Sequence, residues 1–506
     1  MALIDSLAAA AERLVGPVVG RVLHRRHRFA LRRGEVSVAD RERAAHSWWG
    51  DDARWYAGGT PPRKHNRITP LVDGESYFGA LLEALGSARS YVYIIGWCLT
   101  PHFPLSRRSR EDVVNSRLLS VLNDVAKRVP VRILLWEGAP FLLQPTHATM
   151  HEVLHTIESE SRGDLICRLD DSAHFSHCHH QKAIVVDGQI AFVGGMDLTT
   201  YQGDRWDTRE HPLRDFVNWH DAQLRLEGEA VADVEHNFRQ RWQAVTGDAT
   251  LPHRDSTFDE AWQVPAQVIR TIPRHTYDFA RHGEYGIHHA YTNAIRGAQR
   301  LIYAENQYLW SPHVMDALTE VMDNRDPRSF RIVIVLPARA TSGKWDNDQH
   351  VEALRRADKG RGIVSVYSLY ASGPSAGTRP FRYRPVYLHA KVAVIDDEWL
   401  TVGSANLNNR GLITDGEMNV AVRDAALAKG LRVDLWAEHL GLSRHEVAST
   451  DPLELIDTVW RDRAAENAAI LQQGDRPLLC SVHSYEMGWT PAAKMLDEAE
   501  SLTFEH

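Results

Sequence analysis

The chain has 506 residues, room for about three domains at ~150 residues each. Hydrophobic residues make up 43% and charged residues 25%, a globular balance that excludes a disordered, collagen-like or coiled-coil chain. The 58 basic and 66 acidic side chains leave a net charge of −8, which argues against a protein that coats nucleic acid through bulk charge.

Residues 1–64 read as an N-terminal arm. No stretch of the chain reaches the ~18–20 apolar residues of a membrane span. Asp5, Glu12 and Arg13 interrupt the first apolar run, and the arginines follow it, so no secretory leader is predicted. Residues 14–33 are apolar and then basic, with Arg21, Arg25, Arg26, Arg28, Arg32 and Arg33. They read either as an interfacial arm for anionic lipid headgroups or as a solvated helix packed on the body. The chain is expected in the cytoplasm or at a peripheral membrane surface. Cys98, Cys167, Cys178 and Cys480 form no CxxC pair and are expected as free thiols in a reducing compartment.

From residue 65 onward a repeat dominates. GALLEALGSARSYVYIIGW (79–97) matches HAYTNAIRGAQRLIYAENQY (289–308): a helix-like stretch, a polar turn, then a β-branched and aromatic run. LLSVLNDVAKRVPVRILLW (118–136) matches VMDALTEVMDNRDPRSFRIVIVL (314–336). DLICRL (164–169) matches GIVSVYSL (362–369), and residues 179–199 match 388–408. The same order runs twice, about 210 residues apart. Strands alternating with helices predict an α/β fold, and the continuous apolar runs predict strands covered on both faces. The expected architecture is two similar α/β/α sandwich lobes, over 65–250 and 265–445, with the active site between them. Residues 251–264 are polar and read as the linker, and 446–506 as a C-terminal helical tail. A monomer with an internal pseudo-dimer is expected.

The chemistry sits at the end of each repeat. His180-Gln-Lys182 is followed by Asp187 and Gly194-Gly195; His389-Ala-Lys391 is followed, at identical spacing, by Asp396 and Gly403-Ser404. A single HxK is weak evidence, but two full copies with matching apolar runs are specific. On a strand, His and Lys two apart point the same way. Asp187 and Asp396, seven residues beyond each histidine, fall at odd spacing and take an orienting or structural role within this catalytic set. The small Gly194-Gly195 and Gly403-Ser404 pairs are expected to let backbone approach a ligand. Asp197 and Asn406 share one offset, but only Asn406 can donate to a phosphate oxygen. Two histidines and two lysines suit phosphoryl chemistry: one histidine attacks phosphorus, the other moves protons, and the lysines hold the oxygens. No metal and no cofactor are expected. His174, His177, Cys178, His179 and His180 form a dense local cluster, but the second copy lacks it.

This doubled motif resembles the phospholipase D superfamily, and the eukaryotic-type, phosphatidylcholine-hydrolysing branch in particular. GGMDLTTYQGDRWDTREHP (194–212), NWHDAQLRLEGEAV (218–231), NFRQRW (237–242), VIRTIP (268–273), 286–309 and GSANLNNRGLITDGEMNV (403–420) share the resemblance, over about residues 65–445. It implies His180 as nucleophile and His389 as general acid, then base. Lys182, Lys391 and Asn406 would hold phosphate, and Asp221 and Glu417 would each orient a catalytic histidine. Gly195, Ser404, Asp197, Glu305, Asn306 and Gln307 would line the site. The implied activity is hydrolysis of a membrane glycerophospholipid to phosphatidic acid and headgroup alcohol, with transfer to other alcohols. Trp97 and Trp206 are candidates for a choline or acyl pocket, since quaternary ammonium favours aromatic faces. The alternatives are a cardiolipin-synthase-like transferase, a nuclease of the same superfamily and an inactive membrane-binding scaffold. Nucleic acid is not expected as a partner.

Overall fold

The computed structural model describes residues 55–488, apart from 57, 141–144, 175–176, 215–217, 340–342, 376 and 378. The arginine-rich arm over 14–33 and the chain end past 488 lie outside the described residues.

Eight strands come first: β1 (Asn66–Val72), β2 (Val92–Gly96), β3 (Val131–Trp136), β4 (Leu165–Asp170), β5 (Ala183–Val186), β6 (Ile190–Gly194), β7 (Trp219–His220) and β8 (Ala222–Gly228). Eleven follow: β9 (Ala266–Ile272), β10 (Glu284–Tyr285), β11 (Leu301–Glu305), β12 (Arg331–Val335), β13 (Val364–Pro374), β14 (Phe381–Pro385), β15 (Tyr387–Leu388), β16 (Val392–Ile395), β17 (Trp399–Gly403), β18 (Glu417–Arg423) and β19 (Val482–Ser484). The first sheet runs β1-β8-β6-β5-β2-β3-β4. The second repeats that order as β9-β18-β17-β16-β11-β12-β13, with β10, β14 and β19 added at its edges. In each sheet the last three strands are parallel and the rest antiparallel.

Helices occupy matching places. In the first lobe these are α1 (Asp73–Ser87), α2 (Arg110–Asn115), α3 (Leu118–Ala126), α4 (His147–Glu160) and α5 (Ala230–Thr246). In the second they are α6 (Gly286–Gly297), α7 (Pro312–Asn324), α8 (Lys344–Asp358) and α9 (Ala425–Leu440). The two-residue period of a strand decides the layers. On β2, Val92 and Ile94 pack with residues of α1, α3 and α4, while Tyr93 and Ile95 face the opposite way. On β16, Ala393 and Ile395 pack with α6, α7 and α8, while Val392 and Val394 face inward. Inward faces of both sheets, with α5 and α9, merge into one continuous core between the lobes. Both faces of each strand are therefore covered, which explains the unbroken apolar runs.

The polar stretch 251–264 runs along the first lobe. Leu251 is buried, and the Arg254 amide donates to Tyr91 Oη at 2.9 Å. The tail carries α10 (Arg444–Ser449), α11 (Pro452–Leu455) and α12 (Arg461–Gln473), but it also supplies β19, which pairs antiparallel with β13. Among the described residues, no helix is long and apolar enough to cross a membrane.

Candidate active site

His180 and His389 lie just ahead of β5 and β16. The sheet registers then place a carboxylate at the same point in each lobe. β6 pairs Gly194 with Gln223, and β17 pairs Gly403 with Asn419, so Asp221 and Glu417 are equivalent, each two residues earlier. Each serves the histidine of the other lobe. His389 Nδ1 lies 2.6 Å from Asp221 Oδ2, and His180 Nδ1 lies 3.0 Å from Glu417 Oε1. Backbone crosses in the same way: the His180 amide donates to Gly416 O and the His389 amide to His220 O, both at 2.8 Å.

Lys182 and Lys391 are buried beside these pairs. Lys182 Nζ sits 3.0 Å from Asp197 Oδ2, and Lys391 Nζ donates to Gln307 Oε1 at 3.3 Å. Burial, aided by the charge of Lys182, brings the Lys391 ammonium down to about 7. Burial also lowers both imidazoles well below their usual value, and the lysines of both motifs push the same way. It raises both carboxyls, Asp221 to about 7. Burial therefore favours neutral imidazoles, and the Asp221 carboxyl, raised to about 7, is a place for the extra proton that lets His389 carry a hydrogen on Nε2. The two imidazoles also disfavour each other's charge, since His180 lowers His389. A carboxylate at Nδ1 leaves Nε2 as the reacting nitrogen.

Aromatic rings wall the pair. The Trp97 ring meets His180 edge-on at 6.1 Å, and Lys182 Nζ lies 5.8 Å from its centroid. Trp219 lies 4.7 Å from the His389 ring, and the Arg205 guanidinium stacks 3.7 Å from Trp219. Two neutral histidines, two ammonium groups and a buried guanidinium are a set for a nucleophile, a proton carrier and a cradle for phosphate oxygens.

A family model described as Phospholipase D matches residues 84–218 and 217–322, and one described as Cardiolipin synthase, PLD-like domain matches 291–438. The chain belongs to the phospholipase D superfamily. Phospholipase D A of Dictyostelium discoideum is 27% identical over 475 residues, covering 76% of this chain and 36% of that protein. Phospholipase D zeta 2 of Arabidopsis thaliana is 23% identical, covering 80% and 56%. Phospholipase D alpha 1 of Carica papaya is 25% identical, covering 78% and 68%. This chain thus spans between about a third and two-thirds of the length of these relatives. Among solved structures, phosphatidylserine synthase of Haemophilus influenzae shares the fold, with a TM-score of 0.52 at 12% identity over 81% of this chain and 97% of that one.

The remaining superfamily-motif residues take up several different places. Asp187 and Asp396 do not touch the histidines. Asp187 accepts the amides of Arg89, Ser90 and Tyr91 at 2.7–3.0 Å, ahead of β2. Asp396 accepts those of Gln299, Arg300 and Leu301 at 2.8–2.9 Å, ahead of β11. They lie at the far end of β5 and β16 and serve structure alone. Gly194, Gly195 and Gly403 make room for protein, not ligand: a Cβ there would lie 2.1–2.2 Å from Gln223, Asp221 and Asn419 oxygens. Ser404 lies behind His180, its hydroxyl donating to Glu417 and its carbonyl 3.2 Å from His180 Nδ1.

The Glu305-Asn306-Gln307 segment splits three ways. Glu305 turns away from the lysines and accepts from His220 at 3.0 Å and His439 at 2.7 Å. Burial alone would raise it, but those imidazoles outweigh burial and hold it low. Asn306 Oδ1 ties the amides of Tyr308 and Leu407. Only Gln307 reaches Lys391. Asp197 is spent on Lys182 and on the Trp97 amide at 2.9 Å, whereas the buried Asn406 Oδ1 has no hydrogen-bond partner. The guanidinium groups of Arg107 and Arg214 lie over the Trp206 ring, at 5.3 and 5.4 Å. His174, Cys178 and His179 diverge: His174 contacts Arg274 O, His179 pairs with Asp170 at 3.1 Å, and the Cys178 amide donates to Asp415. Arg205 lies in the 194–212 segment of the resemblance without a role assigned to it there, and only the fold brings it close to His389.

Proposed function

We propose that this protein is a phospholipase D-type phosphodiesterase acting on glycerophospholipids, of the phosphatidylcholine or phosphatidylethanolamine class, at a membrane surface. One observation carries the reading: two histidines, each paired at Nδ1 with a carboxylate from the opposite lobe, flanked by Lys182 and Lys391. His180 Nε2 attacks phosphorus, and the phosphorus–oxygen bond to the headgroup breaks. His389 gives the leaving alkoxide its proton from Nε2. His389 then takes a proton from water, whose oxygen attacks phosphorus and breaks the phosphorus–nitrogen bond. Phosphatidic acid leaves and His180 is restored. Lys182, Lys391 and Asn406 hold the non-bridging oxygens.

A second reading is phosphatidyl transfer to an alcohol as the main reaction, favoured by the match of 291–438 to a model described for cardiolipin synthase. Both readings share the phosphohistidine. The test is phosphatidylcholine vesicles with and without a primary alcohol, with products followed by mass spectrometry. Hydrolysis predicts phosphatidic acid without alcohol, and a phosphatidyl-alcohol in competition when alcohol is added. Acid-labile phosphate trapped on wild type but not on His180→Ala supports the nucleophile. Full turnover in either His180→Ala or His389→Ala sinks the shared-site mechanism.

A further inference from the structure

Behind Asp221 lies a second buried cluster that the phosphoryl chemistry does not use. Asp73 opens α1, His211 lies in the loop after β6, His220 ends β7, and Glu438 lies on α9. Their side chains are 1%, 1%, 0% and 1% exposed. His211 Nε2 lies 3.3 Å from Glu438 Oε1 and 3.8 Å from Asp73 Oδ2. His220 Nδ1 lies 3.0 Å from Asp73 Oδ1 and 3.1 Å from Glu438 Oε1. A dication held at ~2.0–2.1 Å by four nitrogen and oxygen ligands has ligand–ligand edges of about 3.3 Å when tetrahedral. Three of these four separations lie within a few tenths of an ångström of that edge.

The outward nitrogens say which atoms face inward. His211 Nδ1 lies 3.0 Å from Asp207 Oδ2, and His220 Nε2 lies 3.0 Å from Glu305 Oε2. With a metal bound, each outer carboxylate would hold the proton on the outer nitrogen and leave the inner lone pair to the ion, the orientation seen for metal-bound histidine. Two ring nitrogens and two carboxylate oxygens then converge; without a metal, Asp73 and Glu438 outweigh burial and raise His211 to about 10 and His220 well above its usual value, so protons compete for the place a dication would take. Asp73 Oδ2, His211 Nε2, His220 Nδ1 and Glu438 Oε1 are all buried without a hydrogen-bond partner. Buried acceptors facing one another are costly unless a cation joins them. On the outside, a surface hollow is lined by Asp73, Glu75, Arg108, Thr208 and Arg209.

We propose that Asp73, His211, His220 and Glu438 bind a structural transition-metal dication, zinc by donor set and edge length. This departs from the absence of metal expected from sequence, and it is independent of the phosphoryl site's assignment. Neutral imidazoles and two carboxylates balance the dication's charge. Four distant segments are tied at one point. The Asp73 amide donates to Asp221 O at 2.9 Å, and the Asp221 amide lies 3.3 Å from Asp73 Oδ1, so the ion braces the carboxylate that orients His389.

The test uses the full chain, stripped with a chelator under mild denaturation and refolded with or without Zn²⁺. Elemental analysis is expected to find about one zinc per chain after extensive dialysis. Co²⁺ in its place is expected to give the visible absorption of a tetrahedral nitrogen–oxygen site, saturating near one equivalent. His211→Asn and Glu438→Gln are expected to lose both signals and to melt like the metal-free wild type. Substoichiometric metal in wild type, with no change in melting on adding Zn²⁺, overturns the proposal and leaves a protonated ion-pair cluster. Stoichiometric metal retained by both variants overturns this assignment of the site. The wild-type cobalt spectrum keeps the question open to refutation even if a variant fails to fold.

Discussion

Asp221 and Glu417 show how much rests on single atoms. Each accepts at Nδ1 of a catalytic histidine and so selects which nitrogen faces phosphorus. An amide in either place keeps the shape but offers an N–H or a weaker acceptor, favouring the wrong tautomer. Asp221→Asn and Glu417→Gln are therefore each expected to lower kcat about 10²- to 10⁴-fold with KM nearly unchanged. Steady-state kinetics on vesicles checks this, and a drop confined to KM contradicts it. Lys391 makes a different prediction. Its ammonium grips phosphate only while protonated, and burial puts that transition near 7 instead of 10.5. The cation is thus present below about 7 and lost as pH rises through it. The Ki of a non-hydrolysable phosphonate lipid is expected to rise across that window in wild type and to stay flat in Lys391→Arg. The HxK pairs were legible because their spacing repeats. Which lobe's carboxylate serves which histidine was not, because that pairing exists only when the sheets meet. Arg205 was hidden for the same reason.

The elements show which of the two roles open to the motif aspartates, orienting or structural, the fold gives them. Spacing ties Asp187 and Asp396 to the histidines, yet the intervening strand carries them to the opposite end of β5 and β16. There each sits at positive φ, 58° and 56°, a left-handed turn that Asp tolerates. From that turn its carboxylate gathers three backbone amides at the polar corner before β2 or β11. Removing the carboxylate leaves those donors without their partner. Asp187→Ala is expected to cost about 2–4 kcal/mol of stability, on the scale of buried amides left unpaired, and Asp396→Ala less, since two of its three donors are exposed to water. Activity per folded molecule is expected to stay near wild type, measured as kcat against active sites titrated below the melting range. A large loss of kcat without loss of stability would return both residues to the catalytic set. The glycines carried the same ambiguity. Sequence marks them as places where something approaches closely, but only the fold shows that Asp221, Gln223 and Asn419 do so. The repeated strand order, by contrast, was readable from apolar runs, because a strand covered on both faces has no polar side to confuse the pattern.

At the scale of the whole molecule, length pointed to about three units, and the core argues for fewer. Inward faces of both sheets share one hydrophobic cluster: Val185, Val193 and Leu224 from the first lobe, Val394, Leu400 and Val420 from the second. Each buried side chain of that kind contributes about 1.5–3 kcal/mol, so neither lobe keeps its inner face covered if the other opens. The crossed histidine–carboxylate pairs add to the same interface. Unfolding is therefore expected to be coupled across lobes. Hydrogen exchange read by mass spectrometry gives a direct check, because Asp187→Ala injures only the first lobe. In coupled lobes, amides of β16 and β17 in the second lobe speed up along with those of β2 and β5, by the same free-energy change. In independent lobes, β16 and β17 keep wild-type protection while β2 and β5 lose it. Asp396→Ala, on the second lobe, supplies the mirror experiment, and coupling requires both to spread. The site lies on the seam between the sheets, so its geometry stands or falls with that shared core.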